Sequence, residues 1–434
     1  MTPTPLRRAR ALRALRLLLA AALAACSTLS AAADWTVQPG ASIQAAIDSA
    51  EPGDTVRVLR GRYRENLRID KPLKLLGVDF PYLSGGLKGD TIRVRAQHVQ
   101  VDGLIIADSG DDLTAQNAGI YLERGAHHAI VSNCSFSYTL FGIWIEKVSG
   151  AQILNNIITG KRDHQSAQRG NGIQLYDSQE ARIENNEISF VRDGIYVDVS
   201  HHAVFRGNRI HNVRYGTHYM NSHNNTWENN ESYHNRGGLA LMMTRNQIVR
   251  NNRAWGNSDH GIMLRTIQDS LIENNVVAGN ARGFFIYDAE YNTLRNNLVV
   301  DNRVGMHLWA GSIHNEVDGN DFIANQEPVK YVAAKDQIWG AKEGNYFSNY
   351  LGWDRNGDGR GDVPYAANDM VDRLSWRYPM MKLLLASPAL QTLRLIGAQF
   401  PLLRAPSVVD NAPRMQPQHN DWSAWIGKRV DATP

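Results

Sequence analysis

His218, Met220, Met242 and Met263 are the residues whose types and spacing best suit chemistry in this chain. An imidazole and three thioethers form a soft donor set, suited to Cu(I) and poorly suited to magnesium or calcium. The same side chains would equally form an apolar, adaptable face on which a partner docks, since methionine is common on such surfaces. A second candidate is Asp354-Arg-Asn356-Gly-Asp358-Gly359-Arg-Gly-Asp362, with oxygen ligands at positions 1, 3, 5 and 9 of an EF-hand-like loop and Gly at position 6. Position 12 is Tyr365 where a bidentate Glu belongs, so a calcium site and a tight polar turn without metal both fit. His201 and His223 also recur at equivalent positions, seven residues before Asn208 and Asn230, and read as solvated corner histidines.

What would bring distant His and Met residues together is an internal repeat. From residue 119, a Gly followed by alternating apolar residues recurs at Gly119, Gly142, Gly172, Gly194, Gly216, Gly238, Gly261, Gly283 and Gly305. The intervals are 23, 30, 22, 22, 22, 23, 22 and 22 residues. A second ladder keeps step: Asn155-Asn156, Asn185-Asn186, Gly207-Asn208, Asn229-Asn230, Asn251-Asn252, Asn274-Asn275, Asn296-Asn297 and Gly319-Asn320. Between them lie short β-type runs such as Ala181-Arg-Ile-Glu, with no stretch long enough for a helix. Leucine-rich repeats of similar period need Leu at several fixed positions and a helical return arm, and neither is present.

These features predict an all-β fold, a right-handed parallel β-helix over 34–350 with two or three short strands per coil. Asn and Gly suit the corners because both tolerate the left-handed backbone conformation. Residues one and three after each Gly point into the core, and those two and four after point out. Like positions on neighbouring coils lie about 4.8 Å apart, so the outward columns place His218 and Met263 in one strip and Met220 and Met242 in the next. The 30-residue interval marks an excursion near Lys161 to Arg169. Solenoid ends need caps. Ser42 to Ala50, with Ile43, Ala46 and Ile47 at helical spacing, serves at one end, followed by strands at Thr55 to Leu59 and Leu67 to Ile69. The aromatic segment Asn345 to Trp353 serves at the other. After the Asp/Gly-rich loop of 351–365, the repeat is absent from 366–434, where Ser387 and Pro388 open a short amphipathic helix carrying Leu390, Leu393, Ile396 and Phe400.

Residues 1–33 read as a secretory signal, with Arg7, Arg8, Arg10, Arg13 and Arg16 ahead of the apolar run Leu17 to Ala25. That run is too short to span a bilayer. Ala31-Ala32-Ala33 suits ordinary cleavage, whereas Leu23-Ala24-Ala25-Cys26 fits a lipobox with an acylated Cys26; Arg7-Arg8 is a faint twin-arginine signal. Removing 1–33 takes five Arg and no acid, moving the formal charge from +3 to −2. The mature chain's basic residues are scattered among acids, which speaks against a nucleic-acid partner. Cys134, alone after cleavage, reads as a small buried filler.

Many parallel β-helices bind or cleave polysaccharides, which requires carboxylates or a base gathered in one groove. Glu123, Glu146 and Asp198 share an outward column, but Tyr176 interrupts it and no Asp-Pro-His-Asp run occurs. A carbohydrate-binding or polysaccharide-cleaving protein is therefore the alternative function.

The run Gly344-Asn-Tyr-Phe-Ser-Asn-Tyr-Leu-Gly-Trp-Asp-Arg-Asn-Gly-Asp-Gly-Arg-Gly-Asp-Val-Pro-Tyr365, with Ser387-Pro-Ala-Leu and Gln399-Phe-Pro-Leu-Leu-Arg404, resembles the NosD family of nitrous oxide reductase maturation proteins. The resemblance extends over essentially all of the mature chain. It implies a periplasmic, non-enzymatic role beside an ABC transporter, made of an ATPase and a permease, in building the copper centres of nitrous oxide reductase. It further implies that the C-terminal helix docks on the permease and that a solenoid flank receives a copper chaperone or the apo-reductase. It supplies no ligand list.

Overall fold

The computed structural model describes residues 32–309, 311–332, 337–367, 371, 378–384, 387–399 and 408–429. Residues 1–31 of the expected signal, with Cys26 among them, and Phe400 lie outside the described residues.

The chain winds into a parallel β-helix with three sheets. Each coil gives sheet 1 a strand that runs through the repeating Gly, then one to sheet 2 and one to sheet 3; the sheets contain 12, 13 and 13 strands. Asp193–Asp198, Val204–Arg206 and Arg209–His211 make up one such coil. Strands pair in parallel with the strand one coil away, as in Ile195↔Thr217 and Val197↔Tyr219. Ile143, Ile173, Ile195, Leu239, Ile262, Phe284 and Met306 are stacked and buried along the axis. Sheet 1 departs from short strands at Gly237–Arg245 and His260–Gln268, each nine residues long.

The Asn repeat has two parts with different duties. The first residue of each pair takes a left-handed conformation, as at Asn185, Asn229 and Asn251 with φ of 56°, 57° and 56°, which Asn tolerates better than most side chains. The second is buried and bonds to its counterpart: Asn208 Nδ2 donates to Asn230 Oδ1 (2.9 Å), Asn230 to Asn252 (2.9 Å) and Asn252 to Asn275 (3.0 Å). Each Oδ1 also accepts the backbone N–H of the preceding Asn. A further ladder, from Asn257 through Asn280 to Asn302 and Asn325, runs along the corner between sheets 3 and 1. Burial without these bonds would be costly, so the ladders fix the stacking of the coils.

At the N-terminal end a helix over Ile43–Ser49 covers the first coil with Ile43 and Ile47, and Ser42 caps it by accepting from Ala45 N–H. The excursion after Gly160 carries a 3-10 turn, Ser166–Gln168. Its Lys161 is buried against Asp111 and the Ser109 carbonyl. At the other end Phe347 stacks between Phe322 (5.0 Å) and Tyr365 (3.8 Å), closing the core. The expected helix spans Pro388–Gln399, with Leu390 N–H donating to Ser387 Oγ. Beyond it, residues 408–429 return to the solenoid. Arg414 and His419 pair with the fully buried Asp321, and Trp422 and Trp425 pack on sheet 3 against a cluster containing Leu298 and Val300.

Candidate functional site

The outward face of sheet 1 holds the His/Met residues in the expected columns. His218 stands beside Ala240, and Ala240 beside Met263. Met220 lies next to Asp198 on one side, and Met242 next to Arg265 on the other. Tyr219 pairs with Leu241, so Met220 and Met242 are neighbours one coil apart. His218 and Met263 are separated by one coil, whose outward residue there is only a methyl group. Ala240 is fully covered, Met242 is buried, and His218, Met220 and Met263 are half-buried. Arg265 would oppose a cation, but its guanidinium lies over the Tyr287 ring at 5.8 Å, toward the next coil.

His218 is the most constrained member. Its Nδ1 lies 3.0 Å from Asp193 Oδ2, and its ring meets Tyr196 edge-on at 4.7 Å. Tyr196 in turn directs its hydroxyl to Met220 Sδ at 3.9 Å. Arg214 forks onto Asp193, with Nε donating to Oδ1 at 2.8 Å. Burial pushes the Asp193 carboxyl up, but hydrogen bonds from His218 and Arg214 outweigh it and hold it below the usual range. Sequence reasoning missed both residues because neither lies in an outward column. The signal was available in register: Asp193 immediately precedes Gly194 and Arg214 stands two before Gly216, one coil apart at the corner where His218's strand begins.

Two more histidines lie on this face without having been singled out. His260 is almost wholly buried, stacks on Tyr215 and faces Asp259, its Nδ1 3.7 Å from Oδ2 and Nε2 without a hydrogen bond. His307 is buried with Nε2 unpartnered; burial first, then Lys330 and Arg282, pulls it down to about 4.

The remaining candidates are placed as follows. His201 and His223 stack at 5.2 Å, and His201 Nδ1 accepts from His223 N–H while His223 Nδ1 accepts from Arg245 N–H; they form a corner ladder. In the 354–362 loop, Asp354 accepts from the N–H groups of Gly357 and Gly359, and Asp362 from Arg355 N–H. Asn356 and Asp358 bond to each other. Of the acidic column, Glu123 pairs with Arg93 and Arg95, Glu146 accepts from Tyr121, and Asp198 accepts from Asn221. Leu390 is buried, Leu393 half-buried and Ile396 exposed on the C-terminal helix. Cys134 is buried, its thiol pushed up to about 12 chiefly by desolvation. Among the described residues no three His, Cys, Asp or Glu side chains gather as a metal cage. A metal on sheet 1 would therefore rely on thioether sulfur, and the one imidazole and three sulfurs present fit Cu(I) by donor chemistry.

The fold and this face define a β-helical scaffold whose side chains, not a cleft, make up its candidate site. The fold is shared with PfbA, a surface protein and adhesin of Streptococcus pneumoniae, at a TM-score of 0.51 and 12% identity over 68% of this chain and 98% of that one. A tailspike protein, Dettilon gp208, aligns at a TM-score of 0.50 and 15% identity over 67% of this chain and 64% of that one. Much closer in sequence are two proteins named probable ABC transporter binding protein NosD. The one from Pseudomonas aeruginosa is 40% identical over 82% of this chain and 87% of its own length; that from Stutzerimonas stutzeri is 36% identical over 83% and 86%. Residues 154–352 match the family described as periplasmic copper-binding protein (NosD), and residues 31–230 match a family of unknown function. The chain belongs to the NosD family.

Proposed function

We propose that this protein is a periplasmic scaffold that holds Cu(I) on sheet 1 and works with an ABC transporter, its permease and ATPase, in building the copper centres of nitrous oxide reductase. The observation that carries the reading is the in-register placement of His218, Met220, Met242 and Met263 on one face, with the imidazole already oriented by Asp193. The family description supports copper and the periplasm, and the relatives' names support the transporter. Export by the 1–33 signal, with or without a lipid on Cys26, would deliver the protein there. The C-terminal segment that holds Leu390, Leu393, Ile396 and Phe400 is the proposed contact with the permease. The sheet 1 face is the proposed dock for a copper chaperone and the apo-reductase.

Competition against a chromophoric Cu(I) chelator tests the metal. His218→Ala and Met242→Ala are expected to lose Cu(I) that the unaltered protein retains, and unchanged affinity in both would refute the site. Deleting the gene is expected to give a reductase lacking its catalytic copper, and full copper content there would refute the maturation role. Calcium at Asp354, Asn356, Asp358 and Asp362 is a separate reading, decided by whether added calcium raises the melting temperature.

A further inference from the structure

The geometry points to Asp193 as a positioning residue that fixes His218 in the Nδ1–H tautomer and presents Nε2, with its lone pair, as the nitrogen that receives a soft metal ion. The inference rests on the copper reading above and deepens it.

Two neighbours compete for His218 Nδ1, and they demand opposite tautomers. Asp193 Oδ2, at 3.0 Å, can only accept, which requires a proton on Nδ1. Arg214 Nη2, at 3.2 Å, can only donate, which requires a lone pair there. The carboxylate prevails for two reasons. Arg214 already spends its fork on Asp193, through Nε and Nη2 together, a bidentate charge-assisted pair. An unprotonated Nδ1 would also set its lone pair against an anionic oxygen whose side chain is only 1% exposed, where no solvent relieves the repulsion.

The carboxylate is itself held on all sides. Its Oδ1 accepts from Arg214 Nε and lies 3.3 Å from Tyr215 N–H, and the Asp193 backbone N–H donates to Asn171 Oδ1. Asp193 therefore cannot swing away without leaving a buried charge unpaired. Tyr196 edge-on and Tyr215 at 5.5 Å hold the imidazole plane. A carboxylate behind the distal nitrogen both selects the tautomer and raises the basicity of the ligating nitrogen.

The tautomer is read directly in the metal-free full-length protein from the nitrogen-15 shifts of the His218 ring, assigned by loss of its signals in His218→Gln. The expected state is Nδ1–H; an Nε2–H ring in the unaltered protein would overturn the inference with no copper involved. Asp193→Asn is expected to shift the ring toward Nε2–H and weaken Cu(I) binding by about 10–100-fold, the range typical for loss of such a partner. Arg214→Gln leaves the Asp193–His218 bond in place and is expected to keep the tautomer, so it serves if Asp193→Asn does not fold. Nδ1–H retained in folded Asp193→Asn, with unchanged Cu(I) affinity, would also overturn it. Should the unaltered protein show Nδ1–H but bind Cu(I) independently of His218, the copper reading fails while the tautomer assignment stands.

Discussion

Asn345 donates both its backbone N–H and its side-chain amide to one oxygen of Asp410, each at 2.8 Å, so a carboxylate 65 residues further along the chain completes the asparagine ladder. Asp410 thus takes the place that the next coil's Asn would fill. Its replacement by Ala leaves the buried Asn345 N–H without a partner and the side-chain amide with the Val317 carbonyl alone, and a loss of about 1–3 kcal/mol in urea unfolding is expected. A double-mutant cycle with Asn345→Ala should show coupling between the two positions.

Within the ladder, the two members of an Asn pair should respond in opposite ways. Asn252 accepts from the N–H and Nδ2 of Asn230 and donates to Asn275 and to the Trp227 carbonyl. Asn252→Ala is expected to cost ~3 kcal/mol or more, since several buried groups lose partners together. Asn251, at φ 56°, serves the corner through its backbone conformation, so Asn251→Gly should leave the thermal midpoint nearly unchanged.

Asp321 anchors the returning C-terminal segment by accepting from Arg414 Nη2 and from the N–H groups of Gln418 and His419. Asp321→Ala leaves Arg414 without its anion and is expected to release 408–429. Limited proteolysis should then cut within this strap of 408–429, which the unaltered protein keeps packed on the solenoid.

His307 gives acid sensitivity of a definite sign. Held down at about 4 by burial, Lys330 and Arg282, it stays neutral in the folded protein while the unfolded chain protonates near the ordinary 6.5. Stability from this group is fully present above about pH 6.5, declines as pH falls toward 4 and is flat below. The full shift corresponds to about 3 kcal/mol. His307→Gln should remove one proton's worth of slope from a plot of unfolding free energy against pH between 6.5 and 4.

Thioether chemistry and packing can be separated at Met242. Met242→Leu conserves volume, so the melting temperature should hold within a few degrees. Cu(I) affinity should fall ~10-fold, about 1.4 kcal/mol. Equal affinity would assign Met242 to packing alone.

The fold was legible because the repeat writes the same instructions in every coil: Gly119 to Gly305 mark the sheet 1 strands, and the Asn pairs mark the corner between sheets 2 and 3. Even the columns came out in register, His218 beside Ala240 and Ala240 beside Met263. What escaped was contact across a corner. Asp193 and Arg214 belong to neither outward column: Asp193 opens one sheet 1 strand, Arg214 directly precedes the next, and both meet His218 there. The strap was illegible for a related reason. Arg414 and His419 reach Asp321 from 93 and 98 residues away, a partnership no local pattern records. His260 was passed over because it directly precedes Gly261 and so stands outside the columns compared.

A structure braced by amide ladders sets a rule for how such a chain can change length. A residue added within a strand would turn each following side chain of that strand to the opposite face and break the alignment of Asn230 with Asn252. Added at a corner, it leaves both untouched, as the Lys161 to Arg169 excursion demonstrates between two coils that still pair Ile158 with Ile188. Growth by whole coils, or by loops budding from corners, is the grammar open to this scaffold; a corner loop preserves the distance from His218 to Met263, whereas a coil inserted between them would lengthen it by about 4.8 Å.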